Sequence, residues 1–318
     1  MSNDLITQPL VLVSEIQRSG GSMLSQLFDG HPSLYAHPFE IHIGHPNKWD
    51  WPHFSLQEPA ESWFERLFET KILNFIENGY AKPGGNRHAA GERFPFDFDP
   101  ELQRREFLSL LAVTAPTSQR DILNAYFSSF FRAWTNHRPS GQEQYVTGFT
   151  PRVNMNPKSA RGFLEDYPDG FMISIVRDPY SWYTSTRQHN HRHADNIELA
   201  VNEWIQSTRA SIELADDHPE QVFLLTFERL LSHTEPEMRR LAELLDIPFD
   251  PCLLTPTYLG NPVRPNSSFQ VKDYGVNAAM TERAHLLDKV DHDYITGQAL
   301  PLYRYAQSRV DWEPHIPA

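Results

Sequence analysis

Two short stretches of this chain carry arginines in settings suited to holding an anion. The first is Gln17-Arg18-Ser19-Gly20-Gly21-Ser22. Four apolar residues, Leu10 to Val13, lead into it, and a helix-competent stretch, Met23 to Phe28, follows. A strand, a Gly/Ser turn and a helix start together supply backbone N–H groups and partial positive charge, and Arg18 adds a forked cation. The combination predicts a site for a phosphate or sulfate group. The second stretch begins at Arg177. The apolar run Phe171 to Val176 places Arg177 at the carboxyl end of a strand, where open α/β sheets bind ligands. Asp178-Pro179 signals a helix start, with the aspartate as cap and the proline at the first helical position. Ser185 falls two turns into that helix, within reach of a phosphate held by Arg177.

These residues need a scaffold that brings strand ends together. The runs Leu10–Val13, Tyr145–Phe149, Phe171–Val176 and Val222–Phe227 are short and apolar without strict alternation, as strands covered on both faces should be. A shorter strand is expected at Ser33–Ala36. Helical patterns lie at Glu58–Asn78, Glu101–Val113, Asp121–Trp134, Ser159–Asp166, Asn196–Ala215, Glu235–Leu245 and in parts of Thr281–Val310. Strands alternating with helices predict an α/β fold, a P-loop-like parallel sheet of four or five strands flanked by helices. The stretch Ile41–Gln144 is rich in aromatics and mostly helix or loop. It is expected to be an insertion capping the acceptor side of the anion site; the plainer alternative is a helical layer packed on the sheet. With no repeat or linker to divide it, the chain is expected to form a single domain over residues 1–318.

Composition narrows the partners. Apolar residues make up 40% and charged residues 22%, ample for a globular core. Lys and Arg number 28 against 41 Asp and Glu, a net charge of −13. That balance argues against nucleic acid, which a basic surface would serve, but leaves room for a small anion held by a few local cations. One cysteine, Cys252, permits no internal disulfide and fits a reducing compartment. The opening MSNDLITQPL lacks a basic and an apolar region, and no stretch approaches the ~20 apolar residues of a membrane span. A cytoplasmic protein without a membrane partner is the expectation. Oligomeric state is unreadable from the sequence.

The phosphate loop of nucleotide kinases and hydrolases, G-x-x-x-x-G-K-[ST], is the first comparison. Alignment on Gly20 sets Glu15 at its first glycine and Gly21 at its lysine, so two of its four fixed positions fail. The pairing of Arg18-Ser19-Gly20-Gly21-Ser22-Met23-Leu24 with Ile175-Val176-Arg177-Asp178-Pro179 and Ser185 instead resembles the sulfotransferase family, whose donor is 3′-phosphoadenosine 5′-phosphosulfate (PAPS). Asp29-Gly30-His31-Pro32 resembles the family's D-x-H-P. Phe227-Glu228-Arg229-Leu230 resembles its Y-E-D-L, and Pro265-Asn266-Ser267-Ser268-Phe269 a late loop that closes on the donor. The likeness spans Leu10 to about Phe269, with the insertion unmatched.

The resemblance implies sulfuryl transfer from PAPS to a hydroxyl or amine of a small-molecule or carbohydrate acceptor, without a metal. It implies that Arg18, Ser19, Gly20, Gly21, Ser22, Met23 and Leu24 hold the 5′-phosphosulfate, with Arg18 also catalytic. It implies that Arg177 and Ser185 hold the 3′-phosphate, and that Arg264, Ser267 and Ser268 close over the donor. The K-x-H of the cytosolic enzymes has no counterpart in Gly148-Phe149-Thr150-Pro151-Arg152. Another branch uses a glutamate just after D-x-H-P, which makes Glu40 the candidate base; a structural carboxylate pairing with Arg152 is its alternative, and His37 and His42 are second choices. Trp182 suits stacking on adenine or packing in the core. Two departures stand out: Glu15 beside an anion loop, and Gly21 where Thr or Ser is commoner. The histidines at 37, 42 and 45, and at 189, 191 and 193, invite a metal reading with Glu40, but they follow no fixed ligand spacing. A sulfotransferase-like binding protein without catalysis and a magnesium-nucleotide enzyme are the competing functions.

Overall fold

The computed structural model describes residues 5–41, 43, 47, 49–68, 72–73, 96–113, 115–189, 195–263, 275–276 and 283–310. His42, His45, His191, His193, Arg264, Ser267 and Ser268 lie outside the described residues.

Five strands form one parallel sheet: β1 (Leu10–Val13), β2 (Leu34–Glu40), β3 (Tyr145–Phe149), β4 (Phe171–Val176) and β5 (Val222–Thr226), in the order β2-β3-β1-β4-β5. β1 is central, and the chain passes to β2 and β3 on one side of it and to β4 and β5 on the other. The reversal point thus falls at the carboxyl end of β1, where doubly wound sheets open a crevice.

Alternation along the strands splits the core in two. Leu10 and Leu12 face one way and join Val146, Met172 and Val222. Val11 and Val13 face the other way, with Ile173, Ile175, Phe223 and Leu225. The second face is covered by α1 (Gly21–Leu27) and by α8 (Phe227–Ser232) and α9 (Thr234–Leu244), through Leu24, Leu230, Met238 and Leu241.

The first face is covered by the segment between β2 and β3, which contains α2 (Ala60–Leu67), α3 (Pro100–Val113) and α4 (Gln119–Ala133), and by α5 (Pro157–Asp166). Trp51, Phe54, Trp63, Phe64, Phe107 and Phe130 are all buried there. The aromatics of Ile41–Gln144 that are described are therefore mainly a core layer against the sheet. A third cluster joins α6 (Pro179–Gln188), α7 (Ile197–Asp217), α10 (Lys289–Gln298) and α11 (Leu300–Val310).

β2 is longer than the expected Ser33–Ala36. Pro38 cannot donate to the ladder, and the pairing of β2 with β3 shifts between Ala36 and Glu40. A proline is tolerated there because β2 is an edge strand. The strand resumes at Glu40, which pairs with Phe149. The expected helix Glu58–Asn78 is seen as α2, Ala60–Leu67, beyond which most residues are not described.

Candidate donor-binding site

The loop after β1 is tied down from both neighbouring strands. Ser14 N–H donates to Ile173 O at 2.9 Å, and Thr150 N–H donates to Val13 O at 3.0 Å. Arg152 N–H donates to Glu15 O at 2.8 Å. The chain then turns tightly: Arg18 has φ 75° and Gly20 φ 117°. A left-handed arginine is strained by about 1–2 kcal/mol, and it persists only where its surroundings hold it. Arg177 supplies that hold, donating from Nη1 to Arg18 O at 2.6 Å. Gly20 cannot be another residue, because a Cβ there would run into the Phe227 ring.

The two anion motifs of the sequence thus meet physically. Besides the Arg177–Arg18 bond, Arg18 Nε donates to Ser185 Oγ at 3.4 Å. Asp178 caps α6 by accepting from Ser181 N–H at 2.8 Å, with Pro179 at the first helical position. Arg177 is 3% exposed and stacks 4.6 Å over Phe227. Burial pulls its pKa down, opposed by the charges of Glu228, Asp178 and Glu15. Glu228 accepts from Asp178 N–H at 3.1 Å and from Tyr303 O–H at 2.6 Å, and burial raises its pKa to about 7. The Phe227–Leu230 segment therefore buttresses Arg177 from below.

A third guanidinium joins them. Arg283, ahead of a short turn of helix at Ala284–Leu286, is buried, and its pKa is lowered to about 10, first by burial and then by the charges of Arg177 and Arg18. Sequence reasoning missed it. It sits 106 residues from Arg177 in no motif, so only the fold reveals the convergence. Arg283 is repelled by both Arg177 and Arg18, and three guanidiniums gathered in this way make a place suited to an anion.

Ser19, Gly20, Gly21 and Ser22 line the turn. Met23 and Leu24 sit one residue further in. Their N–H groups donate to Gly20 O at 2.9 and 3.1 Å, and their side chains pack in the core. They anchor the loop rather than face a ligand with those amides. Ser19 Oγ is buried without a hydrogen-bond partner among the described residues.

Glu15 and Gly21, the two departures, prove to be one feature. Glu15 is 2% exposed and its carboxyl accepts from Gly21 N–H. A Cβ at residue 21 would overlap Glu15 Oε2 and the Phe149 ring. The glutamate fills the space that a side chain at 21 would occupy. Burial raises its pKa to about 8; Glu40 adds to the rise, while Arg18 and Arg177 oppose it. Glu40 thus lies on the Glu15 side of the site, half-buried at the end of β2.

Several candidates go elsewhere. Arg152 binds Gln17 Oε1 at 2.5 Å and Glu203 Oε1 at 2.6 Å. His37 is buried, stacked on Phe130, with Nδ1 2.9 Å from Phe39 O, and is not brought into the site. Trp182 is in the core and donates to Gln17 O at 2.9 Å, fixing the loop from behind. Asp29 and His31 clip distant turns: Asp29 accepts from Thr257 Oγ1 at 2.6 Å, and His31 Nε2 is 2.9 Å from Pro248 O. Among the described residues, no cluster of His, Cys, Asp or Glu has the arrangement of a metal site. No described helix is long and apolar enough to cross a membrane.

Residues 9–251 match the model of the sulfotransferase family. The chain belongs to the sulfotransferase family. Among solved structures, the chain is similar to the sulfotransferase domain of the Synechococcus PCC 7002 olefin synthase, with 18% identity and a TM-score of 0.53 over 98% of each chain. It is also similar to the sulfotransferase domain from the curacin biosynthetic pathway, with 17% identity and a TM-score of 0.49 over 93% of this chain and 98% of that one. A sulfotransferase from Alicyclobacillus acidocaldarius gives 13% identity and a TM-score of 0.48 over 96% and 97%. The first of these likenesses supports the shared P-loop-like α/β fold. No curated protein gives a sequence match.

Proposed function

We propose that this sulfotransferase moves a sulfuryl group from PAPS to a hydroxyl or amine of a small-molecule or carbohydrate acceptor. The observation that carries the reading is the convergence of Arg18, Arg177 and Arg283 at the carboxyl ends of β1 and β4, interlocked through Arg18 O and Ser185 Oγ. A donor with phosphates at both ends of its ribose asks for cations in two linked places. Arg177 and Ser185 would hold the 3′-phosphate, with Arg283 beside them. Ser19 to Ser22 would cradle the 5′-phosphosulfate, with Met23 and Leu24 fixing the turn. Arg264, Ser267 and Ser268 would close over it.

The transfer is an in-line displacement at sulfur. The acceptor oxygen or nitrogen forms the new bond as the bridging S–O bond breaks, and the electron pair leaves on the 5′-phosphate. Arg18 would stabilise that developing charge, an electrostatic contribution of about 2.7–4 kcal/mol where measured for comparable donors. Glu40 would take the acceptor's proton, with the acceptor lying between the sheet edge and the 41–144 segment of a single domain. Positioning and charge stabilisation supply the rest, by analogy with phosphoryl transfer.

The test is calorimetric titration with adenosine 3′,5′-bisphosphate, the donor's leaving half. Micromolar or tighter binding with stabilisation against heat is expected. Absence of binding, or tight binding of Mg-ATP instead, would overturn the assignment. Binding without bisphosphate release from PAPS across a broad acceptor panel would point to a binding protein.

A further inference from the structure

A buried carboxylate pressed against an anion loop is costly, and the transfer chemistry as described makes no use of it. Glu15 is nevertheless built in: its main chain is held by Arg152 N–H, its carboxyl by Gly21 N–H, and it fits only because residue 21 has no side chain. Its Oε2 is buried with no hydrogen-bond partner among the described residues. That oxygen takes up the space of a residue-21 Cβ, on the wall of the loop. We propose that Glu15 works as a neutral carboxylic acid, donating a hydrogen bond from Oε2 to the donor's 5′-phosphosulfate in place of a side chain at residue 21, so that donor binding holds a proton on Glu15. The inference rests on the PAPS reading above.

The surroundings of Glu15 favour the neutral form in the liganded state. Glu40 faces it from the end of β2, Arg18 from its own loop and Arg177 from the end of β4; Phe149 of β3 and Gly21 of α1 complete the wall. Arg18 and Arg177 are the cations that hold its pKa down, and both would turn to the donor's phosphates. An ionised Glu15 would then face Glu40 and a phosphosulfate at once. A protonated one gives the orphaned oxygen a donor to offer, the same device by which an acid kept neutral in an apolar site donates to an oxyanion. The sign follows. Free Glu15 loses its proton as pH rises through about 8, so affinity should be full below that pH and fall above it by about tenfold per unit.

The experiment titrates adenosine 3′,5′-bisphosphate into the full chain at pH 6.5 and pH 9, in buffers of different ionisation enthalpy. Phosphates with a second pKa of about 6 are fully ionised at the higher pH, so proton uptake there belongs to the protein. Wild type is expected to take up close to one proton per ligand at pH 9, and to bind about tenfold more weakly than at pH 6.5. Glu15→Gln, which keeps an N–H donor, should match wild type at pH 6.5, lose the uptake and bind with a flat pH profile. The pair Glu15→Ala with Gly21→Ser, which restores a hydroxyl donor at 21, should also bind with a flat profile. Uptake that persists in Glu15→Gln, or a tenfold loss of affinity in that variant at pH 6.5, would overturn the proposal while leaving the donor assignment intact. No binding by wild type at either pH would remove the donor assignment and this role together.

Discussion

At the end of β4, Arg177 is enclosed by groups that hold it: the Phe227 ring beneath, Arg18 O ahead, and Glu228 and Asp178 as counter-charges, themselves fixed by Tyr303 and Ser181. At the end of β1, the loop is the opposite. It contains a left-handed arginine, a buried Ser19 hydroxyl without a described partner and a carboxyl with one oxygen in the same condition. The first arm grips its guanidinium from several sides and suits binding. The second carries unsatisfied polar groups, and buried polar groups of that kind cost about 1–3 kcal/mol each. On the proposed reading, the Arg177 arm would hold the donor's 3′-phosphate and the Arg18–Glu15–Glu40 arm would meet its 5′-phosphosulfate and the acceptor.

Substitutions can break that division. Glu40→Gln should lower kcat by about 10²–10⁴-fold, the usual span for a general base, with the bisphosphate Kd unchanged; equal losses in both would return Glu40 to a structural role. Arg18→Ala should lower kcat by about 10²–10³-fold with a smaller change in Kd, measured by steady-state kinetics beside calorimetry. Arg177→Ala should act in the reverse sense, weakening bisphosphate binding by roughly 10–100-fold, as expected for a charged hydrogen bond worth about 1.5–3 kcal/mol. It should also lower Tm, because Arg18 O loses its donor. Gly21→Ser alone should destabilise through overlap with Glu15 and Phe149, and adding Glu15→Ala should recover part of the loss. Tyr303→Phe is the mildest. Losing one donor to Glu228 should cost about 1 kcal/mol and lower Tm by about 2 °C.

Stability against pH separates the arms further. Glu15 and Glu228 both have folded pKa values raised above the ordinary carboxylate value, to about 8 and about 7. The unfolded chain releases these protons near pH 4.5 and the folded chain near 7–8, so their stabilising effect is full at low pH and fades as pH rises through that window. Thermal unfolding of the ligand-free protein should show Tm falling between about pH 5 and pH 8, and Glu15→Gln should flatten the upper part of the fall.

Much of this organisation was legible in the residues. Apolar runs without alternation located β1, β3, β4 and β5 because parallel strands are covered on both faces. β2 was read short because His37 and Pro38 interrupt the run, and a proline on an edge strand hides its continuation to Glu40. Arg18, Arg177 and Ser185 were visible because each sits at a strand end or one helix face. Arg283 was not, since it lies 106 residues from Arg177 in no motif and only the fold brings the two together. Glu15 and Gly21 looked like two separate anomalies. Their connection needed the direction of one side chain, which periodicity cannot supply within a turn.

The division between the arms is tested most directly by comparing adenosine 3′,5′-bisphosphate with adenosine 5′-monophosphate by calorimetry, in wild type and in Arg177→Ala. Wild type should bind the bisphosphate at least about tenfold more tightly, a difference of about 1.4 kcal/mol, and the preference should vanish in the variant. Equal binding of both nucleotides by wild type, or a preference that survives loss of Arg177, would contradict the two-arm site.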